Sequence, residues 1–140
     1  MIEWKTDDDL PSIDKSVSQD QIIKYASVSG DSNPLHLDQE FASTTQFGGV
    51  IAHGMLTLAF ISEMLTKAFG KAWLETGSLK VRLKGAARPG DIITAWGTIT
   101  RADFDGLEAY VGVNNHKGDE LIGGLAAVKL SRERYDESTR

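Results

Sequence analysis

The segment from Gly54 to Phe69 limits the fold more than any other part of the chain. Met55, Leu56, Leu58, Ala59, Phe60, Ile61, Met64, Leu65, Ala68 and Phe69 occupy nearly every face of a helical wheel. A helix of that kind has to be enclosed rather than laid on a surface. Glu63 and Lys67, spaced i,i+4, form the expected pair on the one face left to water. Gly70 supplies the stop, and the helix would run about 24 Å at 1.5 Å per residue. The chain beyond Gly70 must wrap this helix, and the pattern there changes from helical to strand-like. Candidate strands span 75–87, 91–102, 106–115 and 120–132. The turns between them are Arg88-Pro89-Gly90-Asp91, Asp103-Phe104-Asp105-Gly106 and Asn115-His116-Lys117-Gly118-Asp119. Connections this short make neighbouring strands antiparallel, because a parallel pair needs a crossover of a dozen or more residues. The expected class is α+β, an antiparallel sheet wrapped around a long central helix.

The first half reads as helix and loop, with strands confined to its N-terminal edge. Ser18-Gln19-Asp20-Gln21 has the form of a capping box, and Ile22, Ile23, Tyr25 and Ala26 continue it as a short amphipathic helix. Gly30 suits a left-handed stop. Pro34 removes a donor and turns Asn33 away from helical angles, so Asp31 to Pro34 should be a turn. Asp38 is placed to cap a further short helix through Ala42.

Size and composition set outer limits. At 140 residues the chain is expected to form one domain over 1–140, with 1–12 and 133–140 as peripheral tails. Cysteine is absent, which excludes disulfides, thiol nucleophiles and cysteine-ligated metals. A net charge of −5 argues against general nucleic-acid binding. The acidic, polar start is wrong for a signal peptide, and no apolar run approaches the ~18 residues of a membrane span. A cytoplasmic protein is the expectation.

Chemistry concentrates in Ser29-Gly30-Asp31-Ser32-Asn33-Pro34-Leu35-His36-Leu37-Asp38, which sets a carboxylate and an imidazole five residues apart. Gly54, at the start of the central helix, adds a backbone amide with no intrahelical partner. An acid–base pair beside such an amide suits chemistry on a carbonyl compound. Taken singly, an aspartate before Asn-Pro is a turn residue and a lone histidine is a packing residue. Their joint presence within one motif is what favours catalysis.

Residues 25–38 resemble the signature of the MaoC-like, or R-specific, enoyl-CoA hydratases. Ile51-Ala52-His53-Gly54-Met55 and Arg88-Pro89-Gly90-Asp91 resemble that family in the same order, so the similarity spans roughly Val17 to Leu130. The resemblance implies a hot-dog fold, agreeing with the helix-then-sheet reading. It also implies a homodimer with the substrate tunnel near the subunit interface. By resemblance the activity is reversible syn hydration of a trans-2-enoyl thioester to the (R)-3-hydroxyacyl thioester. No cofactor or metal is implied; coenzyme A or an acyl carrier protein is the substrate handle. Where relatives often carry a bulky aromatic and a proline, this chain has Leu83-Lys84-Gly85-Ala86-Ala87, which bears on the acyl pocket.

The same resemblance makes Asp31 and His36 the catalytic dyad and Gly54 the oxyanion-hole glycine. Ser62, about two turns beyond Gly54, is a supporting candidate that either meets Asp31 or bonds its own helix four residues back. Asn33 either braces the loop or serves as a cap. His53 is read as structural. Lys80, Arg82 and Lys84 alternate on one strand face, either as a solvated face or as a landing site for coenzyme A phosphates. Two alternatives stand beside hydration: a hot-dog thioesterase, and a non-catalytic subunit of a hetero-oligomeric dehydratase.

Overall fold

The structure, a computed structural model, describes residues 3–130. In chain order its elements are β1 (Ile13–Ser16), α1 (Gln19–Ser29), α2 (Pro34–Leu37), α3 (Gln39–Ser43), α4 (Gly54–Phe69), α5 (Lys71–Thr76), β2 (Ser78–Leu83), β3 (Ile92–Ala102), β4 (Gly106–Asn115) and β5 (Glu120–Lys129). All five strands form one antiparallel sheet in the order β1-β3-β4-β5-β2.

Strand alternation makes one face of this sheet apolar. Ile93, Ala95 and Ile99 of β3 point inward and are buried, while Thr94, Trp96 and Thr98 between them are partly exposed. Leu107, Ala109, Val111 and Val113 of β4 continue the same inner face. Helix α4 packs on it through Leu56, Phe60, Ile61, Met64, Leu65 and Phe69, in one continuous core. Its bounds match the sequence expectation, because its apolar content and the Gly70 stop are local signals. Met55 and Ala59 remain exposed, so one edge of the helix near its N-terminus is uncovered.

Several expectations are corrected. Residues 71–76 form helix α5, and β2 is confined to Ser78–Leu83 within the expected 75–87. Gly70 turns the chain sharply, Lys71 and Glu75 pair at 3.4 Å, and Trp73 is buried against α4. Strand β5 ends at Lys129, and the expected extension to 132 runs outside the described residues. Glu63 pairs with Lys15 of β1 at 2.9 Å instead of with Lys67, so its ion pair ties helix to sheet. The segment before β1 is not peripheral: Leu10 is buried, its N–H donates to Gly97 O at 2.8 Å, and Asp7 N–H donates to Ile99 O at 2.8 Å. The C-terminal tail expected from 133 lies outside the described residues.

Met64 has no exposed surface and sits mid-helix against the sheet. Met64→Ala should lower unfolding free energy by about 2–5 kcal/mol, seen as a lower urea midpoint with an unchanged m-value.

Candidate active site

The loop bearing Asp31 is built from a ladder of side-chain-to-backbone bonds, each reaching two residues ahead. Ser29 Oγ accepts from Asp31 N–H at 3.2 Å, Asp31 Oδ1 from Asn33 N–H at 3.3 Å, and Asn33 Oδ1 from Leu35 N–H at 2.9 Å. Short polar side chains form such turns in competition with helix, which explains the alternation Ser-x-Asp-x-Asn. Gly30 (φ 80) closes α1 in the left-handed region, with its N–H bonded to Ala26 O. Asn33 is therefore the N-cap of α2, with Pro34 following it in the first turn.

One turn of α2 swings His36 back toward Asp31. His36 Nε2 lies 3.9 Å from Asp31 Oδ2, too far for a direct hydrogen bond. A water about 2.8 Å from both atoms would sit at the apex of an angle of about 90°, within reach of base and carboxylate together. His36 Nδ1 is 2.8 Å from Ile51 O. A carbonyl only accepts, so Nδ1 carries the hydrogen and Nε2 presents its lone pair toward Asp31. The His36 side chain is nearly buried, at 10% exposed, whereas Asp31 is open to solvent at 54%.

The third component is the start of α4. His53 occupies the N-cap position but makes no side-chain cap bond. The first backbone bonds to His53 O come from Leu56 N–H (3.1 Å) and Thr57 N–H (3.2 Å), leaving the Gly54 amide at the open end of the helix. The helix dipole adds partial positive charge there. A Cβ on Gly54 would come within 2.8 Å of Leu83 Cδ1, so the end of β2 shields one side of this amide.

Asp31, His36, Asn33 and Gly54 thus converge on one loop–helix junction. Ser62 does not join them: its Oγ accepts from the Trp73 indole N–H at 3.0 Å, fastening α5 to α4. Lys80 and Arg82 lie on the exposed face of β2, opposite the face that carries Leu79 and Val81 toward the core. Lys84, just beyond, pairs with Glu120 at 3.2 Å. The structure therefore does not bring this basic run to the Gly54 amide. The Gly85–Ala87 stretch does border the site, since Ala87 O accepts from Ala52 N–H at 2.8 Å. A shallow groove of about 500 Å³ between Ile23, Leu37 and Arg88 is lined by neither Asp31, His36 nor Gly54.

His53, read as structural, is packed into the site by contacts that its sequence neighbours do not show. It is 2% exposed, its Nε2 lies 2.9 Å from Asp31 O, and its ring stacks on His36 (centroids 3.8 Å, interplanar 26°). Candidate ligand atoms of Asp31, His36 and His53 fall within 4.8 Å of one another. One nitrogen of each ring is already engaged by a backbone carbonyl, His36 Nδ1 by Ile51 O and His53 Nε2 by Asp31 O.

An antiparallel sheet enclosing a helix, with an Asp–His pair at the helix's open N-terminus, defines a hot-dog domain equipped for acid–base chemistry. The MaoC-like domain model matches residues 6–115, and the chain belongs to that family. It is 38% identical over 90 residues to an (R)-specific enoyl-CoA hydratase from Rhodospirillum rubrum, an alignment covering 64% of this chain and 62% of that protein. It is 34% identical over 113 residues to an (R)-specific enoyl-CoA hydratase from Aeromonas caviae, covering 79% and 84% of the two chains. Among solved structures, an (R)-hydratase from A. caviae superposes with a TM-score of 0.80 at 28% identity, covering 91% of this chain and 98% of that one.

Ser62→Ala should separate packing from catalysis. It leaves the Trp73 indole N–H without its acceptor and should cost about 1 kcal/mol in thermal or urea unfolding. Turnover should stay within about threefold of wild type.

Proposed function

We infer that this chain is an (R)-specific enoyl-thioester hydratase, catalysing reversible addition of water across the Cα=Cβ bond of a trans-2-enoyl-CoA. The observation that carries the reading is the basic Nε2 of His36 facing Asp31 Oδ2 across 3.9 Å, beside the free amide end of α4. Water held between the two side chains gives a proton to the pair as its oxygen bonds to Cβ. The Cα=Cβ electron pair moves to Cα and into the thioester carbonyl, whose oxygen gains negative charge. In this reading the Gly54 N–H takes that charge, a contribution of about 10²–10³ in rate for a single such donor. The pair then returns a proton to Cα, so one water is added and no redox equivalent is needed. Delivery of both parts from one side gives syn addition, and dehydration runs through the same steps in reverse.

A thioesterase would use the same fold, but the paired base and carboxylate match addition at Cβ more closely than attack on the carbonyl carbon. Metal and organic cofactors have no part in this scheme. The handle is coenzyme A or an acyl carrier protein, and Lys80, Arg82 and Lys84 could meet its phosphates only across an assembled tunnel. We read the working unit as a homodimer. Met55 and Leu83, 61% and 55% exposed, flank Gly54, and β2 forms one end of the sheet order. A second copy set against these would wall the thioester site. We propose a cytoplasmic enzyme, in keeping with its cysteine-free composition.

Asp31→Asn and His36→Ala should each reduce turnover of trans-but-2-enoyl-CoA by about 10²–10⁴-fold with an unchanged circular dichroism spectrum. The assay follows loss of the conjugated-enone absorbance, with a thiol reagent in parallel. Release of free thiol by the wild type, or near-wild-type hydration by the double variant, would overturn the assignment. Sedimentation equilibrium should give twice the chain mass, and a charge at the apolar rim (Met55→Glu) should shift it toward monomer and lower activity in step.

A further inference from the structure

We propose that His53 is a positioning residue for the Asp31–His36 pair: its Nε2–H fixes the Asp31 carbonyl, and its ring is the surface against which His36 is held. The inference rests on the hydratase reading above.

The N-cap of a helix ordinarily carries Ser, Thr, Asp or Asn, whose side-chain oxygen takes up one of the unpaired first-turn amides. His53 holds that position on α4 and makes no such bond. Its side chain turns instead to the loop 22 residues earlier in sequence, where Nε2 donates to Asp31 O at 2.9 Å. Because a carbonyl only accepts, the hydrogen sits on Nε2. Among the described residues the buried Nδ1 atom has no hydrogen-bond partner, and the ring's polar contact is the one to Asp31. Fixing the Asp31 carbonyl fixes the backbone from which the free oxygen Oδ2 projects.

The ring does separate work. It lies 3.8 Å from the His36 ring at 26°, with Tyr25 of α1 against it at 4.8 Å and 59°. His36 is thus held by the bond from Nδ1 to Ile51 O and by the face of His53. Ile51 and His53 are two residues apart, so one short segment restrains the base by hydrogen bond and by stacking and restrains the acid through its backbone. The next residue, Gly54, carries the amide proposed to meet the thioester oxygen. A 3.9 Å gap that must hold one water tolerates little drift, and misplacement of about 1 Å can cost about 10²-fold in rate.

The test uses three variants of the full chain. His53→Gln keeps an N–H near Nε2 and loses the ring; His53→Phe keeps the ring and loses the donor; His53→Ala loses both. With trans-but-2-enoyl-CoA, His53→Ala should lower kcat by about 10²-fold with KM within about threefold. His53→Gln and His53→Phe should each recover part of that loss, and they preserve volume should the alanine variant fail to fold. Nitrogen-15 NMR of the histidine rings supplies a readout independent of turnover. In the wild type His36 should show a single Nδ1–H tautomer, becoming mixed in the Gln and Ala variants, which lack the ring, and kept in the Phe variant. Loss of stability alone, with kcat and the His36 tautomer unchanged in all three, would overturn the proposal. Wild-type inactivity toward enoyl-CoA would refute the hydratase reading, while the tautomer measurement would still decide the part played by His53.

Discussion

Helix α4 combines two opposed features: its sides are enclosed in the core and its first turn is left without a side-chain cap. Burial of Ile61, Met64 and Leu65 holds the helix against β3 and β4, and such side chains contribute about 1.5–3 kcal/mol each when fully removed from water. An ordinary N-cap would add about 1 kcal/mol more but would occupy a first-turn amide. The chain forgoes that bond and leaves the amide end of the helix without a side-chain cap. Enclosure also sets the direction in which the helix dipole points, because a helix fixed on the sheet cannot tilt its N-terminus away from the Asp31 loop.

The rest of the site is organised by a four-residue segment. Ile51 O holds His36, Ala52 N–H reaches Ala87 O, His53 reaches Asp31 O, and Gly54 begins α4. Opposing it, the Ser29–Asp31–Asn33 ladder uses short polar side chains to fix its own backbone. That division explains why Asp31 Oδ1 is engaged locally while Oδ2 is free to face His36. The loop therefore has its shape before any substrate arrives, which reduces the ordering required at binding.

Signals carried by neighbouring residues were legible in the sequence. The Ser18 cap of α1, the Gly30 stop, the Asp38 cap of α3, and the extents of α4 and β4 all depend on spacings of a few residues. Even within the capping box only half was realised: Ser18 Oγ accepts from Gln21 N–H, while Gln21 Oε1 has no partner among the described residues. What could not be read depended on contacts between distant segments. Ser62 looked available to Asp31 because the sequence does not show Trp73 returning beside it. Glu63 looked paired with Lys67 because β1, which brings Lys15, lies 48 residues away. Alternation correctly set Lys80 and Arg82 on one face, but only the pairing of β2 with β5 decides which face meets the helix.

His53 was hidden for the same reason, and its comparison with His36 shows how one device yields two outcomes. Each imidazole donates from one nitrogen to a backbone carbonyl, which fixes both its tautomer and its ring plane. In His36 the donor is Nδ1, so the remaining lone pair is on Nε2 and faces a solvent-exposed carboxylate. In His53 the donor is Nε2, and the remaining nitrogen is buried with no partner among the described residues. Two stacked rings of the same chemistry are thereby made unequal by which carbonyl each one meets. Of the two rings, His36 is the one whose Nε2 faces Asp31 Oδ2, at 3.9 Å, and that difference is set by the backbone carbonyls of residues 31 and 51.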